Sequence, residues 1–308
     1  MVKVKLPRSA AGARGEGAYL IRQLTDREEI RRLLEGERIY AAYALAQLEA
    51  GSFERSEWWL SQGEKGDALL MHSKGGLGNA LVTLGDASAL AAALSLHPGP
   101  QQTFATFRLD HLDPMRRFFF LAQSEPMLRM LVTREGFVPA PPLEGEAKGT
   151  AEVRQLRDPD IARVNRLYHS EGSHMEYRAH HLRGGVYFGV FDDGRLVSVA
   201  GTHSVAREGG IAVVGNVFTH PLYRNHHYGL RATGAVTEAL LATCPEVVLT
   251  VHPQNAPAVR AYARLGYREN CQLIEGGASR KDILGVASLI RRLLARWRGR
   301  RSAQEKVA

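Results

Sequence analysis

The chain has 308 residues, 44% of them hydrophobic and 23% charged, with a formal net charge of +8. That length exceeds one usual domain and predicts two, and the composition supports ordinary cores and excludes wholesale disorder. Cys244 and Cys271 are too few for a disulfide framework or a cysteine-based metal site and read as free thiols of a cytoplasmic protein; no apolar stretch reads as a secretory signal or a membrane span.

Along the first half, Ala18 to Leu24 predicts a strand, and Asp26 caps the helix behind it, with Glu29 completing a capping box. Ala68–Met71 and Ala80–Leu84 predict strands across a glycine-rich hairpin. Asp86 starts a helix that runs through Leu96, Phe104–Arg108 returns as a strand, and a helical region leads toward Met130–Val132. Residues 18–138 are therefore expected to form one α/β domain. Residues 139–150, rich in Pro, Gly and Glu, break both periodicities and are expected to be a linker.

The second unit is expected over 151–278. Ala151–Leu156 reads as a strand, with Asp158 ahead of a helix over Ile161–Tyr168, and this order repeats the strand and helix around Asp26. Val186–Phe191 and Leu196–Thr202 pair across the turn Asp192-Asp193-Gly194. A strand over Ile211–Phe218, a helix after Gly229, a strand over Val247–Val251 and a helix from Asn255 to Gly266 follow. Each half is thus expected to be a mixed, largely antiparallel sheet flanked by helices, an α/β (α+β) architecture.

The chemistry concentrates in Gly215–Gly229, where an apolar strand passes through a polar turn into a helix. Unpaired N–H groups in a helix's first turn attract phosphate, and a small residue there lets the ligand approach the backbone. On that physics alone a basic loop before a helix is common. Arg224 and Gly229 occupying the outer positions of the turn, with Asn255, Tyr262, Gly266 and Tyr267 downstream, make the pattern more specific. Together these residues resemble the cofactor core of the GNAT superfamily of N-acetyltransferases, over roughly residues 151–275. The first half, with a bulky charged stretch after its Phe104–Arg108 strand and the ending Leu131–Phe137, resembles a degenerate GNAT companion domain.

The resemblance implies acetyl-CoA as acyl donor and a primary amine, small or peptide-borne, as acceptor, with no metal. It implies that main-chain N–H groups from His227 through Tyr228, Gly229 and Leu230 to Arg231 hold the pyrophosphate beside Arg224. It also implies that Val217, Phe218 and Thr219 run along the pantetheine, that Asn255 contacts the cofactor, and that Tyr262 protonates the departing thiolate. Helix spacing alone reads Tyr262 as a packed core ring and Asn255 as a helix cap. His227 stands where the family pattern usually has glycine, which predicts altered cofactor binding and leaves a non-enzymatic acyl-CoA sensor or scaffold as the alternative. For the general base, His169, Glu171, His174, Glu176, His180, His181 and His220 are candidates alongside a water relay.

Residues 279–308 hold nine Lys or Arg against two acids, a net +7, while the remaining residues are nearly neutral. Ile283, Val286, Ala287, Ile290, Leu293, Leu294 and Trp297 recur at helical spacing with Arg291, Arg292, Arg296 and Arg298 around them, which predicts an amphipathic helical tail. Docking on the main body and peripheral contact with an anionic membrane are both open to it, and its apolar stripe or an exposed sheet edge offers a homodimer contact. The lack of interleaved aromatic residues argues against nucleic acid.

Overall fold

The structure, a computed structural model, describes residues 2–5, 18–75, 78–143, 150–172 and 176–304. In chain order its elements begin with β1 (Val2–Lys5), β2 (Ala18–Leu24), α1 (Arg27–Glu35), α2 (Ala42–Ala46), β3 (Ser56–Gly63), β4 (Gly66–Gly75) and β5 (Gly78–Gly85). Next come α3 (Ala87–Leu96), β6 (Gln102–Phe107), α4 (Leu112–Phe118), β7 (Phe119–Thr133), β8 (Ala151–Gln155), α5 (Ile161–His169) and α6 (Ala179–Arg183). The chain ends with β9 (Tyr187–Asp192), β10 (Arg195–Ala206), β11 (Ile211–Thr219), α7 (Tyr228–Leu241), β12 (Glu246–Val251), α8 (Ala256–Arg264), β13 (Arg268–Arg280) and α9 (Val286–Gln304). Half of the predicted linker, residues 144–149, and the base candidate His174 lie outside the described residues.

Two compact units emerge, Met1–Met127 with Gln272–Ala308, and Leu128–Cys271. The grouping follows strand pairing rather than chain order, because residues 274–279 of β13 hydrogen-bond to β6 of the first unit.

In the first unit the strands run β1-β2-β3-β4-β5-β6-β13. Every pair is antiparallel except β5 with β6, which are parallel because α3 carries the chain back between them. α3 is a run of Ala and Leu with Ala89 to Leu96 all buried, so it packs on more than one face. Asp26 does cap α1, its carboxylate accepting from the N–H groups of Glu28 and Glu29. The second half of the expected capping box does not form: the Glu29 carboxylate pairs with Arg22 on β2 instead. Two further differences stand out. Trp58 and Trp59 sit in a full strand, β3, and the segment after Phe118 is the long strand β7 rather than helix. In both stretches aromatic and β-tolerant residues favour a pleated surface, while consecutive apolar residues blur the period that would have marked them.

The second unit repeats the plan. Its strands run β7-β12-β11-β10-β9-β8, antiparallel except for β11 with β12, which are parallel because α7 crosses between them. The core forms where Leu230, Val236, Leu240 and Leu241 of α7 meet Val190, Val197, Ala212, Val214, Val247 and Leu249 of the sheet. Each of these leucines and valines contributes about 1.5–3 kcal/mol by leaving water. The β9–β10 turn is the expected one, with Asp193 and Gly194 both at positive φ, 46° and 74°. Gly266 ends the α8 segment at φ 89°, and a Cβ there would lie 1.9 Å from the Gly136 carbonyl oxygen, so only glycine fits.

A charged cluster ties β8 to the start of α5. Arg154 grips the nearly buried Asp160 carboxylate through two hydrogen bonds of 2.9 and 2.8 Å, Arg163 and the Arg157 N–H add two more, and the Arg154 guanidinium lies 4.0 Å from the Phe191 ring centre. The Arg154 hydrogen bonds, before any other cause, lower the Asp160 pKa to about 2. A folded-state pKa below the unfolded value means stabilisation that is complete above the ordinary carboxylate range and lost as pH falls through it toward 2. Asp160→Asn is therefore expected to cost about 2 kcal/mol at neutral pH and to converge with the parent in acid, as read by denaturant unfolding across pH.

Candidate functional site

The ladder between β11 and β12 stops at Val214 opposite Leu249, yet β11 runs on to Thr219. Beyond that point the two parallel strands part, and among the described residues the backbone of Gly215–Thr219 on this side has no strand partner. Within the parting strand Asn216 takes φ 55°, a left-handed residue in a strand, and the β10–β11 register slips on either side of Thr202. Such a break re-aims the backbone groups that follow it.

A cleft of about 710 Å³ opens beside this break. Val217, Phe218 and Thr219 line one wall, Arg224, His227, Tyr228, Gly229 and Leu230 form the turn and first helical residues of α7, and Asn255 and Tyr262 come from α8. Ten of the eleven site residues expected from the sequence thus meet at one cleft. Arg231 is the exception: its N–H already donates to the His227 carbonyl at 3.0 Å and its guanidinium to the Ala140 carbonyl at 3.1 Å.

No side chain among the described residues caps α7. Among the described residues, the N–H groups of Tyr228, Gly229 and Leu230 find no hydrogen-bond acceptor, so the positive end of a 14-residue helix faces the cleft with its donors open. A Cβ on Gly229 would come within 3.1 Å of the Thr219 hydroxyl, so the absent side chain keeps this approach clear. The left-handed turn expected to need glycine is formed by side-chain-bearing residues: Asn225 has φ 68° and His227 has φ 61°. Asn tolerates that region; His does so with strain.

Among the described residues the cleft lining carries Arg224, Arg260 and Arg264 and no carboxylate. Arg224 ion-pairs with Glu171, which ties up that base candidate, and its Nε reaches the Thr219 carbonyl at 3.4 Å. Arg260 and Arg264 were not anticipated, since an i, i+4 pair of arginines on a helix reads equally well as a solvated face. The Tyr228 hydroxyl turns away to donate to Asp192 at 2.8 Å, and burial with that bond pushes its pKa up to about 12. Its backbone, not its phenol, serves the turn.

Asn255 caps α8, its Oδ1 accepting from the Ala258 N–H at 3.3 Å, and it also lines the cleft. Tyr262 is 8% exposed, packs edge-on to Tyr267 with ring centres 6.1 Å apart, and makes no hydroxyl hydrogen bond among the described residues. Burial pushes that hydroxyl up to about 12, so it holds its proton throughout the neutral range. A protonated, unengaged hydroxyl at the cleft can donate a proton or a hydrogen bond.

Several base candidates are already engaged. His220 accepts from the Leu222 N–H at 3.3 Å and meets Arg195 at 3.2 Å, and it lines a separate cleft. His181 accepts from the Arg178 N–H at 2.9 Å at the start of α6, and desolvation, ahead of the neighbouring His180, lowers its pKa. A group not expected from the sequence holds the strand break from behind. The Tyr168 hydroxyl donates to the Asn216 carbonyl at 2.6 Å, the Tyr177 hydroxyl to its Oδ1 at 3.0 Å, and the Asn216 amide donates to the Tyr187 hydroxyl at 3.0 Å. The three tyrosines come from α5, the loop before α6, and β9, a convergence with no signature in spacing.

The first unit closes the matching places. Asp86 caps α3 by accepting from the N–H groups of Ser88 and Ala89 at 2.9 and 2.8 Å, so a carboxylate stands where α7 leaves its donors open. Beyond the last β5–β6 pair, Val82 with Thr106, the fully buried His111 ring bonds the Thr83 hydroxyl and the Gly85 carbonyl, both at 2.8 Å, and the Tyr40 hydroxyl bonds the Thr83 carbonyl at 2.7 Å. Desolvation lowers the His111 pKa, which keeps the plug neutral.

A sequence profile described as "Acetyltransferase (GNAT) family" matches residues 134–267. Among solved structures, a Drosophila protein aligns at TM-score 0.61 and 15% identity over 83% of this chain and 98% of its own. A GCN5-related N-acetyltransferase from Sphaerobacter thermophilus aligns at TM-score 0.52 and 15% identity, covering 85% and 95%. A tandem GNAT protein from the clavulanic acid biosynthesis pathway aligns at TM-score 0.50 and 14% identity, covering 85% and 98%. No curated protein matches the sequence. At these identities the structural likenesses speak for the fold, and their reach over most of the chain agrees with two units of one plan. Residues 134–267, which hold the parted strands, the open helix end and Tyr262, form a domain that matches the GNAT acetyltransferase family, and the N-terminal region has a GNAT-like fold as well.

Proposed function

We propose that the second unit is an N-acetyltransferase that moves the acetyl group of acetyl-CoA to a primary amine by direct attack. The observation that carries this reading is that, among the described residues, an uncapped α7 N-terminus and a protonated Tyr262 with no hydroxyl hydrogen bond lie along one cleft lined by no carboxylate. The N–H groups of Tyr228, Gly229 and Leu230 would hold the pyrophosphate, and Arg224, Arg260 and Arg264 suit the remaining phosphate charge. Acetyl-CoA supplies the thioester whose C–S bond breaks as the amine's C–N bond forms. The backbone of Val217–Thr219, re-aimed by Asn216, orients the donor, Tyr262 gives its proton to the departing sulfur, and the proton shed by the acylated nitrogen passes through water and restores the tyrosine.

A broad amine panel scored for acceptor-dependent thiol release tests the activity. Binding of acetyl-CoA with no such release would favour a non-enzymatic acyl-CoA sensor, a reading to which the histidine at position 227 lends weight. Because Asp86 and His111 close the first unit, calorimetry of the full chain is expected to give one acetyl-CoA site per chain. Two equivalent sites would overturn the assignment of the first unit as a non-binding companion.

A further inference from the structure

The tail forms the expected helix, α9, but it docks with the opposite face from that of an ordinary amphipathic surface helix. The residues it buries are small: Ser288 and Ala295, seven apart and therefore on one side, are 2% and 7% exposed. That side packs in the first unit near α3, where the Arg291 Nε donates to the Ser95 carbonyl at 2.8 Å. The helix start is pinned by Asp282, whose carboxylate accepts from the N–H groups of Ala287 and Ser288 at 3.2 and 2.8 Å. The apolar stripe points the other way. Leu289, Ile290, Leu293 and Leu294 are 46–55% exposed, and the turn ahead of the helix adds Ile283 at 60% and Leu284 at 85%.

A row of exposed large apolar side chains on a helix marks a surface meant to be covered. Its charge says by what. Residues 279–308 carry a net +7, with arginines at 291 and 292 bordering the stripe and more at 296, 298, 300 and 301, where side chains lie outside the described residues. Pairing this stripe with a second copy would set two such arginine-rich borders against each other. A bilayer of anionic lipid instead takes up both parts at once, the leucines in the acyl boundary and the arginines among the headgroups. No helix among the described residues is long and apolar enough to cross a membrane, so α9 would lie in the surface plane.

We propose that the outward face of α9, with the Ile283-Leu284 turn, docks the protein on an anionic lipid bilayer surface. Co-sedimentation of the full chain with vesicles of phosphatidylcholine alone, or of phosphatidylcholine with phosphatidylglycerol, tests it. The parent is expected to partition at least about tenfold more onto the phosphatidylglycerol vesicles and to release as salt rises, because headgroup attraction is screened. The double variant Leu289→Ser with Leu293→Ser is expected to lose about tenfold of that partitioning. If that variant unfolds by circular dichroism, Leu284→Ser, altered outside the helix, decides alone with a partial loss. Unchanged binding by the serine variants, or no preference for the anionic vesicles, would overturn the proposal. So would a parent that sediments as a dimer and becomes a monomer in the double variant, because the stripe would then belong to a second copy.

Discussion

Tyr262→Phe is expected to slow acceptor-dependent thiol release about 100-fold while leaving acetyl-CoA affinity within about twofold. The split follows from where the hydroxyl stands. The ring packs against Tyr267 and stays in place as phenylalanine, whereas the hydroxyl makes no hydrogen bond among the described residues that the ground state would lose. Its value lies in the charge that develops on sulfur as the thioester breaks, an interaction present only in the transition state. Burial pushes the hydroxyl up to about 12, so a proton remains available across the neutral and mildly alkaline range, and the parent's rate should show no fall from this group below about pH 10. Stopped assays of thiol release, paired with calorimetry on the same preparations, separate the two effects. Equal rates for parent and variant would remove Tyr262 from the reaction and return it to the packed-ring role that its helix spacing alone suggested.

Legibility from sequence varied with how local each cause is. The candidate cleft was legible because its parts are short: a turn ahead of a helix, a capping Asn255, a Tyr262 two turns further along the same helix and a Gly266 that nothing else could replace. Secondary structure was readable wherever period and punctuation agreed, as at Asp193-Gly194 or Asp26. It was not at Trp58-Trp59 or along Phe119–Thr133, where apolar residues run consecutively and strand character comes from the partners they find in the sheet. The tyrosine group on Asn216 joins residues 29 to 48 positions from it and leaves no spacing to read. The tail shows a different failure. Its amphipathic pattern was plain, but a pattern fixes which residues share a face and not which face turns inward, and here small residues dock more closely than leucines would.

Position 227 brings these levels together and yields two variants with opposite expectations. His227 sits at the N-cap of α7 with φ 61° and ψ 10°, a conformation that costs a residue with a Cβ about 1 kcal/mol and glycine almost nothing. His227→Gly is therefore expected to bind acetyl-CoA several-fold more tightly by clearing the ring from the phosphate turn, with a stability gain of about 0.5 kcal/mol once the freer unfolded chain is counted. His227→Asp is expected to do the reverse to binding. It sets a carboxylate at the helix end that α7 leaves open, as Asp86 does for α3. A fixed negative charge there favours the helix by up to about 1 kcal/mol and repels the pyrophosphate, so affinity should fall about 100-fold while the protein is no less stable. Calorimetry and thermal unfolding on the three proteins measure the two quantities separately. Loss of binding with retained stability in His227→Asp would tie the phosphate to this helix end. Undiminished binding would place it elsewhere, and no binding by parent or by His227→Gly would remove acetyl-CoA from the cleft altogether.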